Sequence, residues 1–246
     1  MAEHLTIPSR GTAHKLRLWV PFAASPLRRP LTSNVRTLQV NSMGSKLIYQ
    51  FRITLLGIEP PIWRQVQVPS DYSFWDLHVA IQDSMGWLDY HLHEFRMKKP
   101  RGRKVIEIGL PDTETDRTVL PGWNVSLSEY FTEPGVRAEY NYDFGDGWCH
   151  EVLLEGVLVR NASAKYPVCL AGERACPPED CGGIPGYERL LKVLKSPGTE
   201  KYKAMTSWLK GHAKNYFPYK PEHFDPKGVE FWNPEKRLRM AFGEHE

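Results

Sequence analysis

No stretch of the 246-residue chain approaches the length of an apolar membrane span, and no signal-peptide pattern opens it. The expectation is therefore a cytoplasmic protein without a membrane partner. Cysteine is scarce: Cys149, Cys169, Cys176 and Cys181 are too few for a disulfide scaffold, and in a reducing compartment they would be thiols or metal ligands. The familiar enzyme signatures are missing as well. There is no Gly-x-Ser-x-Gly elbow, His-Glu-x-x-His helix, phosphate loop or dinucleotide fingerprint. Asp143-Phe-Gly lacks the other kinase motifs and reads as a turn, and Cys176 and Cys181 are spaced too widely for a zinc deaminase.

A strong basic field is also lacking, although the formal net charge is +3. Residues 1–42 carry Arg10, Lys15, Arg17, Arg28, Arg29 and Arg36 against Glu3, a contribution of +5, so the rest of the chain stands at −2. A body of that balance is not a general nucleic-acid binder. The Arg-, Pro- and Ser-rich segment has no sustained apolar period and reads as an appended extension, disordered, non-native or a transit peptide, ahead of one domain spanning 43–246.

Leu47, Tyr49, Phe51, Ile53 and Leu55 alternate with more polar residues as in a strand, and Ile62 to Val68 return after a Gly57–Pro61 turn. Ser73 and Asp76 form a capping-box start for a helix with the stripe Phe74, Leu77, Ile81 and Met85, and Gly86 stands where its C-cap belongs. A third strand from His91 to Met97 and a partner at Val105–Ile108 follow. A short helix at Leu127–Phe131 precedes a second hairpin that turns at Asp143–Gly147. Helical stripes at Tyr187–Leu194 and Tyr202–Leu209 and a helix start at Asn233-Pro234-Glu235 complete the chain. The order implies an α+β fold with a mixed or antiparallel sheet, a β-grasp-like strand-strand-helix-strand opening and C-terminal helices.

Between the second hairpin and those helices lies Cys169-Leu-Ala-Gly-Glu-Arg-Ala-Cys176-Pro-Pro-Glu-Asp-Cys181-Gly-Gly. Pro177 and Pro178 remove two backbone donors and Gly182 and Gly183 admit positive φ, so the stretch reads as neither helix nor strand. It must be held by its side chains or by something bound to them.

Pro61-Ile-Trp-Arg64, Met85-Gly-Trp-Leu-Asp-Tyr-His-Leu-His-Glu-Phe95, Tyr142-Asp-Phe-Gly-Asp-Gly-Trp-Cys-His-Glu151 and Cys176-Pro-Pro-Glu-Asp-Cys-Gly-Gly-Ile-Pro-Gly-Tyr187 together resemble the Ri-plasmid ORF-three-like family, over nearly the whole chain from Met43. The resemblance implies an α+β domain, kinship with passenger proteins of insertion sequences and no established activity. A resolvase label carried by some passengers is not matched here by recombinase motifs.

Three groups of residues could carry chemistry. Cys169, Cys176 and Cys181, with His150 or else Cys149, His91 or His93 as fourth ligand, could hold a structural zinc ion; the other reading is a clasp of unligated thiols. His91 and His93, on one face of a strand, could join Asp143, Asp146 and His150 in a metal-dependent hydrolase or nuclease, or could be a hydrogen-bonded polar face. Lys98, Lys99, Arg101, Arg103 and Lys104 crowd the tip of a hairpin with Trp87 and Tyr90 near its base, where they could contact nucleic acid or an acidic protein, or be a solvated turn. The leading expectation is a non-enzymatic binding or accessory protein, with the hydrolase as alternative.

Overall fold

The structure, a computed structural model, describes residues 47–100, 102, 104–111 and 117–243. The expected extension over residues 1–42 lies outside these residues, as do Arg101 and Arg103. By its contacts the chain divides into a unit spanning Thr37–Pro234 and a smaller one that includes the last helix.

Within the larger unit, β1 (Leu47–Leu55) and β2 (Ile62–Pro69) form the first hairpin, followed by α1 (Phe74–Met85) and the strands β3 (His93–Lys98) and β4 (Val105–Gly109). A three-residue β5 (Val119–Pro121) pairs parallel to β4, an element the sequence reading did not contain. Next come a 3-10 turn at Leu127–Glu129 and the hairpin β6 (Arg137–Tyr142) and β7 (Trp148–Val159). The strand β8 (Val168–Glu173) and the helices α2 (Gly183–Leu194) and α3 (Glu200–Gly211) follow. All eight strands form one mixed sheet in the order β5-β4-β3-β6-β7-β1-β2-β8. The fold is α+β, as expected from the element order. The last helix, α4 (Pro234–Ala241), starts at the proline that the sequence marks. No described helix is long and apolar enough to cross a membrane.

The cysteine stretch is more regular at its ends than its prolines and glycines suggest. Cys169 lies on β8, paired with Val66 of β2, and Gly183 already belongs to α2. Pro185 is compatible with helix there because first-turn amides have no intrahelical acceptor to lose.

Strand alternation assigns the two faces of the sheet. Phe51, Ile53, Leu55, Val66, Tyr140, Val152 and Leu154 are buried, whereas Gln50, Gln65, Gln67 and Glu155 lie on the other face in a hydrogen-bonded ladder. The apolar face is covered by α1, ten of whose twelve residues are buried. Its polar members find partners inside: His78 Nδ1 and Gln82 Nε2 each lie 2.8 Å from the Tyr140 hydroxyl. The helix begins as the sequence predicts, with Ser73 and Asp76 in a reciprocal capping box, and ends at Gly86 with φ 87°.

One cation sits in this core without a carboxylate partner. The Arg64 guanidinium, 1 % exposed, donates to the carbonyls of Ser84, Trp63 and Glu173 at 2.8–2.9 Å and stacks on Phe224 at 3.6 Å. It ties the last turn of α1 to the end of β8.

Because the Ser73 hydroxyl satisfies an otherwise orphaned amide of α1, Ser73→Ala is expected to lower stability by about 1 kcal/mol. A shift of the urea midpoint with unchanged m-value would show this; an unshifted midpoint would mean that tertiary packing alone fixes the helix start.

Candidate functional site

Three irregular segments converge at the end of β3 and β6: residues 87–92 after α1, the 143–147 turn between β6 and β7, and the 174–183 loop after β8. Gly86 turns the chain out of α1, and Trp87 stacks on Tyr142 with ring centroids 5.0 Å apart. The Trp87 indole N–H donates to the Pro177 carbonyl at 2.9 Å. Asp89, at φ 63°, accepts from His78 at 2.9 Å, and the Tyr90 amide donates to the Tyr142 hydroxyl at 3.1 Å.

In the second segment Asp143, at φ 55°, accepts the amides of Gly145 and Asp146 on its Oδ1, a side-chain turn that leaves Oδ2 directed at His91. The third segment is fastened by Glu179. Its buried carboxylate accepts the Tyr142 hydroxyl at 2.6 Å and the Leu88 amide at 2.8 Å, and burial raises its pKa. Asp146 accepts the Gly182 amide at 3.1 Å, and a Cβ on Gly183 would stand 2.5 Å from the Asp146 carbonyl, so loop and turn are in direct backbone contact.

The convergence forms a cup. His91 Nε2 lies 3.2 Å from Asp180 Oδ1 and 3.5 Å from Asp143 Oδ2. Among the described residues this is the one set of three histidine, cysteine or acidic side chains whose ligand atoms all fall within 4.8 Å of one another. Asp180 is at φ 58°, half exposed, and its Oδ2 is 3.9 Å from His212 Nε2 at the end of α3. Contact with Asp180 raises the His91 pKa against the opposing effect of burial, and the same contact lowers that of Asp180.

Of the expected hydrolytic set, only His91 and Asp143 meet. His91 and His93 do not share a face: β3 begins at His93, and the bend at His91 ends the alternation that would have aligned them. His93 is buried and stacked on His78 with centroids 3.4 Å apart, and neither of its ring nitrogens has a hydrogen-bond partner. His150 is buried with Nδ1 3.2 Å from the Tyr140 carbonyl. Asp146 serves the loop contact.

Nor do the cysteines form a ligand set with one another or with His150 by the same distance criterion. Cys169 and Cys181 direct their thiols at the carbonyls of Ala171 and Gly183, and Cys149 lies on β7. Burial pushes Cys169 up to about 11 and Cys181 to about 12, and raises Cys176 further despite the nearby Arg64 charge. The loop is thus held by Glu179 and Trp87, side chains the sequence reading did not weigh for this role. Asp180 was also overlooked; its signal was an acid lodged between a proline pair and a glycine pair, beside a cysteine that drew attention first.

The basic hairpin stands apart from the cup, at the far end of β3. Lys98, Lys99 and Lys104 are exposed there, and Lys98 borders an open groove of about 470 Å³ with Arg96, Val105 and Arg137. Arg96 and Arg137 are paired with Glu139 and Glu151 across neighbouring strands. Trp87, expected near the base of this hairpin, is buried under the cup.

Fold and site together define an α+β protein whose single sheet carries a histidine–carboxylate cup at one end. The plasmid pRiA4b ORF-3-like protein family matches residues 47–228, and the chain belongs to that family. The uncharacterised protein y4hQ of Sinorhizobium fredii is 33 % identical over 162 residues, 65 % of this chain and 80 % of that protein. The crystal structure of MM3350, a protein of unknown function from Methanosarcina mazei Go1, aligns with a TM-score of 0.67 at 42 % identity, covering 76 % of this chain and 99 % of that one.

The buried imidazoles make stability depend on pH. Burial lowers the pKa of His93 well below 6.5 and that of His150 to about 4, so in acid the unfolded chain takes up these protons first. Stability should fall from pH 6.5 towards 4, each histidine contributing up to about 1.4 kcal/mol per pH unit. The raised pKa of Glu179 opposes this in acid, and that of His91 adds stability below 6.5 that is lost as pH rises through its folded value. Urea midpoints across the range would reveal the acid loss, and His150→Phe should flatten its slope whatever its effect on baseline stability. An unchanged slope would contradict the neutral buried state.

Proposed function

We propose that this is a non-enzymatic binding protein whose cup takes up one divalent cation through His91 Nε2, Asp143 Oδ2 and Asp180 Oδ1. The observation that carries the reading is the spacing of the ligand atoms. Metal–ligand bonds of about 2.1 Å place adjacent ligands about 3.0 Å apart at right angles and about 3.4 Å at tetrahedral angles. The two contacts of Nε2, at 3.2 and 3.5 Å, lie close to these values, and the two carboxylates come within 4.8 Å of each other. One imidazole and two carboxylates suit zinc or manganese, and half-exposed Asp180 leaves positions open towards solvent. The family's plasmid-borne namesake supports an accessory role on mobile DNA.

Zinc in the cysteine loop has less support, since those thiols are directed at separate carbonyls. The hydrolase reading keeps the open positions but loses two of its candidate residues, because His93 and His150 lie in the core. A different account of the cup is favoured by the raised pKa of His91: a proton on Nε2 would sit between the carboxylates and make it an ion-paired clasp.

Calorimetric titration of chelator-treated protein with Mn²⁺ and with Zn²⁺ separates these accounts. One equivalent should bind, with His91→Gln and Asp180→Asn each weakening it about tenfold or more and Cys176→Ser leaving it unchanged. Uptake abolished by Cys176→Ser would move the metal to the cysteine loop. No uptake, with His91 titrating above 6.5 by NMR, would leave the ion-paired clasp.

A further inference from the structure

The segments that form the cup leave three large apolar side chains in solvent: Tyr90, Leu92 and Phe144, exposed by 56 %, 47 % and 51 %. Each is next in sequence to one of the proposed ligands, Tyr90 and Leu92 on either side of His91 and Phe144 after Asp143. The segments bearing them are fastened together, since the Asp143 amide donates to the Leu92 carbonyl at 3.0 Å and the Tyr90 amide to the Tyr142 hydroxyl at 3.1 Å. Large apolar side chains left exposed on segments fastened to one another mark a place of contact, and a backbone already fixed spares a partner part of the ordering cost.

Resting on the cation reading above, we propose that the metal-loaded cup docks a segment of a partner protein that carries one carboxylate between apolar residues. Charge selects the carboxylate. A divalent cation balances Asp143 and Asp180, and its open positions favour an oxygen ligand with negative charge. A cationic side chain would meet the ion itself. A nucleic acid is disfavoured because residues 43–246 carry a formal charge of −2, and the exposed basic hairpin lies at the opposite end of β3. The apolar neighbours of the carboxylate would lie on Tyr90, Leu92 and Phe144, which supply contact area but no charge.

The test uses the full chain loaded with Zn²⁺ and three fluorescein-labelled peptides, with core sequences Leu-Asp-Phe, Leu-Asn-Phe and Leu-Lys-Phe, beside labelled octathymidylate, read by anisotropy. The Asp peptide should bind about tenfold more tightly than the Asn peptide, and chelation should remove that preference. The double substitution Tyr90→Ala with Phe144→Ala should weaken the Asp peptide about tenfold while calorimetric Zn²⁺ uptake stays unchanged. Equal binding of the three peptides, absence of peptide binding by metal-loaded protein, or tighter binding of octathymidylate would overturn the docking proposal and leave the cation site standing. Failure of Zn²⁺ uptake itself would remove both readings.

Discussion

The carboxylate of Glu179 holds the cup together. A buried acid is costly unless its oxygens are occupied, and here one takes the Tyr142 hydroxyl and the other the Leu88 amide. Those two bonds draw a loop without regular structure onto the end of β6 and onto the segment leaving α1. Everything that defines the cup follows from that placement, because Asp180 is the next residue and reaches His91 only when its neighbour is seated. The Trp87 indole adds a second fastening through Pro177, on the other side of the same short stretch. The loop, which the sequence leaves to be held either by its side chains or by something bound to them, is fastened here by hydrogen bonds to residues distant in sequence.

Much of the fold was legible in the chain because it is local. Alternation over Leu47–Leu55, the capping box of Ser73 with Asp76 and the left-handed Gly86 are short-range patterns whose physical cause lies within a few residues. What could not be read is what depends on distant pairing. The β6–β7 hairpin lies between β3 and β1, and β5 joins β4 in parallel through a three-residue register with little alternation to show. The family resemblance was equally legible, through ordered motifs rather than periodicity, and the match over residues 47–228 bears it out.

The candidate site was half legible for the same reason. His91 and Asp143 attracted notice as residue types, but spacing alone placed His93 beside His91, whereas a bend before β3 sends the two rings to opposite fates: one to the cup, the other against His78. Asp180 acquires its role from Glu179 and a left-handed backbone, neither of which has a periodic signature. The cysteines, the most conspicuous residues of the loop, spread over β7, β8 and the loop, where burial favours their neutral thiols.

Arg64 gives this arrangement a mechanical character. Its planar fork spans the carbonyl of Ser84, from which the chain runs on to Trp87 and His91, and that of Glu173, from which it runs on to Glu179 and Asp180. The two walls of the cup therefore grow from a single rigid footing, with their far ends closed by Glu179. A loop tethered at one point could swing open by itself; one rooted beside its opposite wall moves with that wall, so the 3.2 Å contact between His91 and Asp180 is held from both ends.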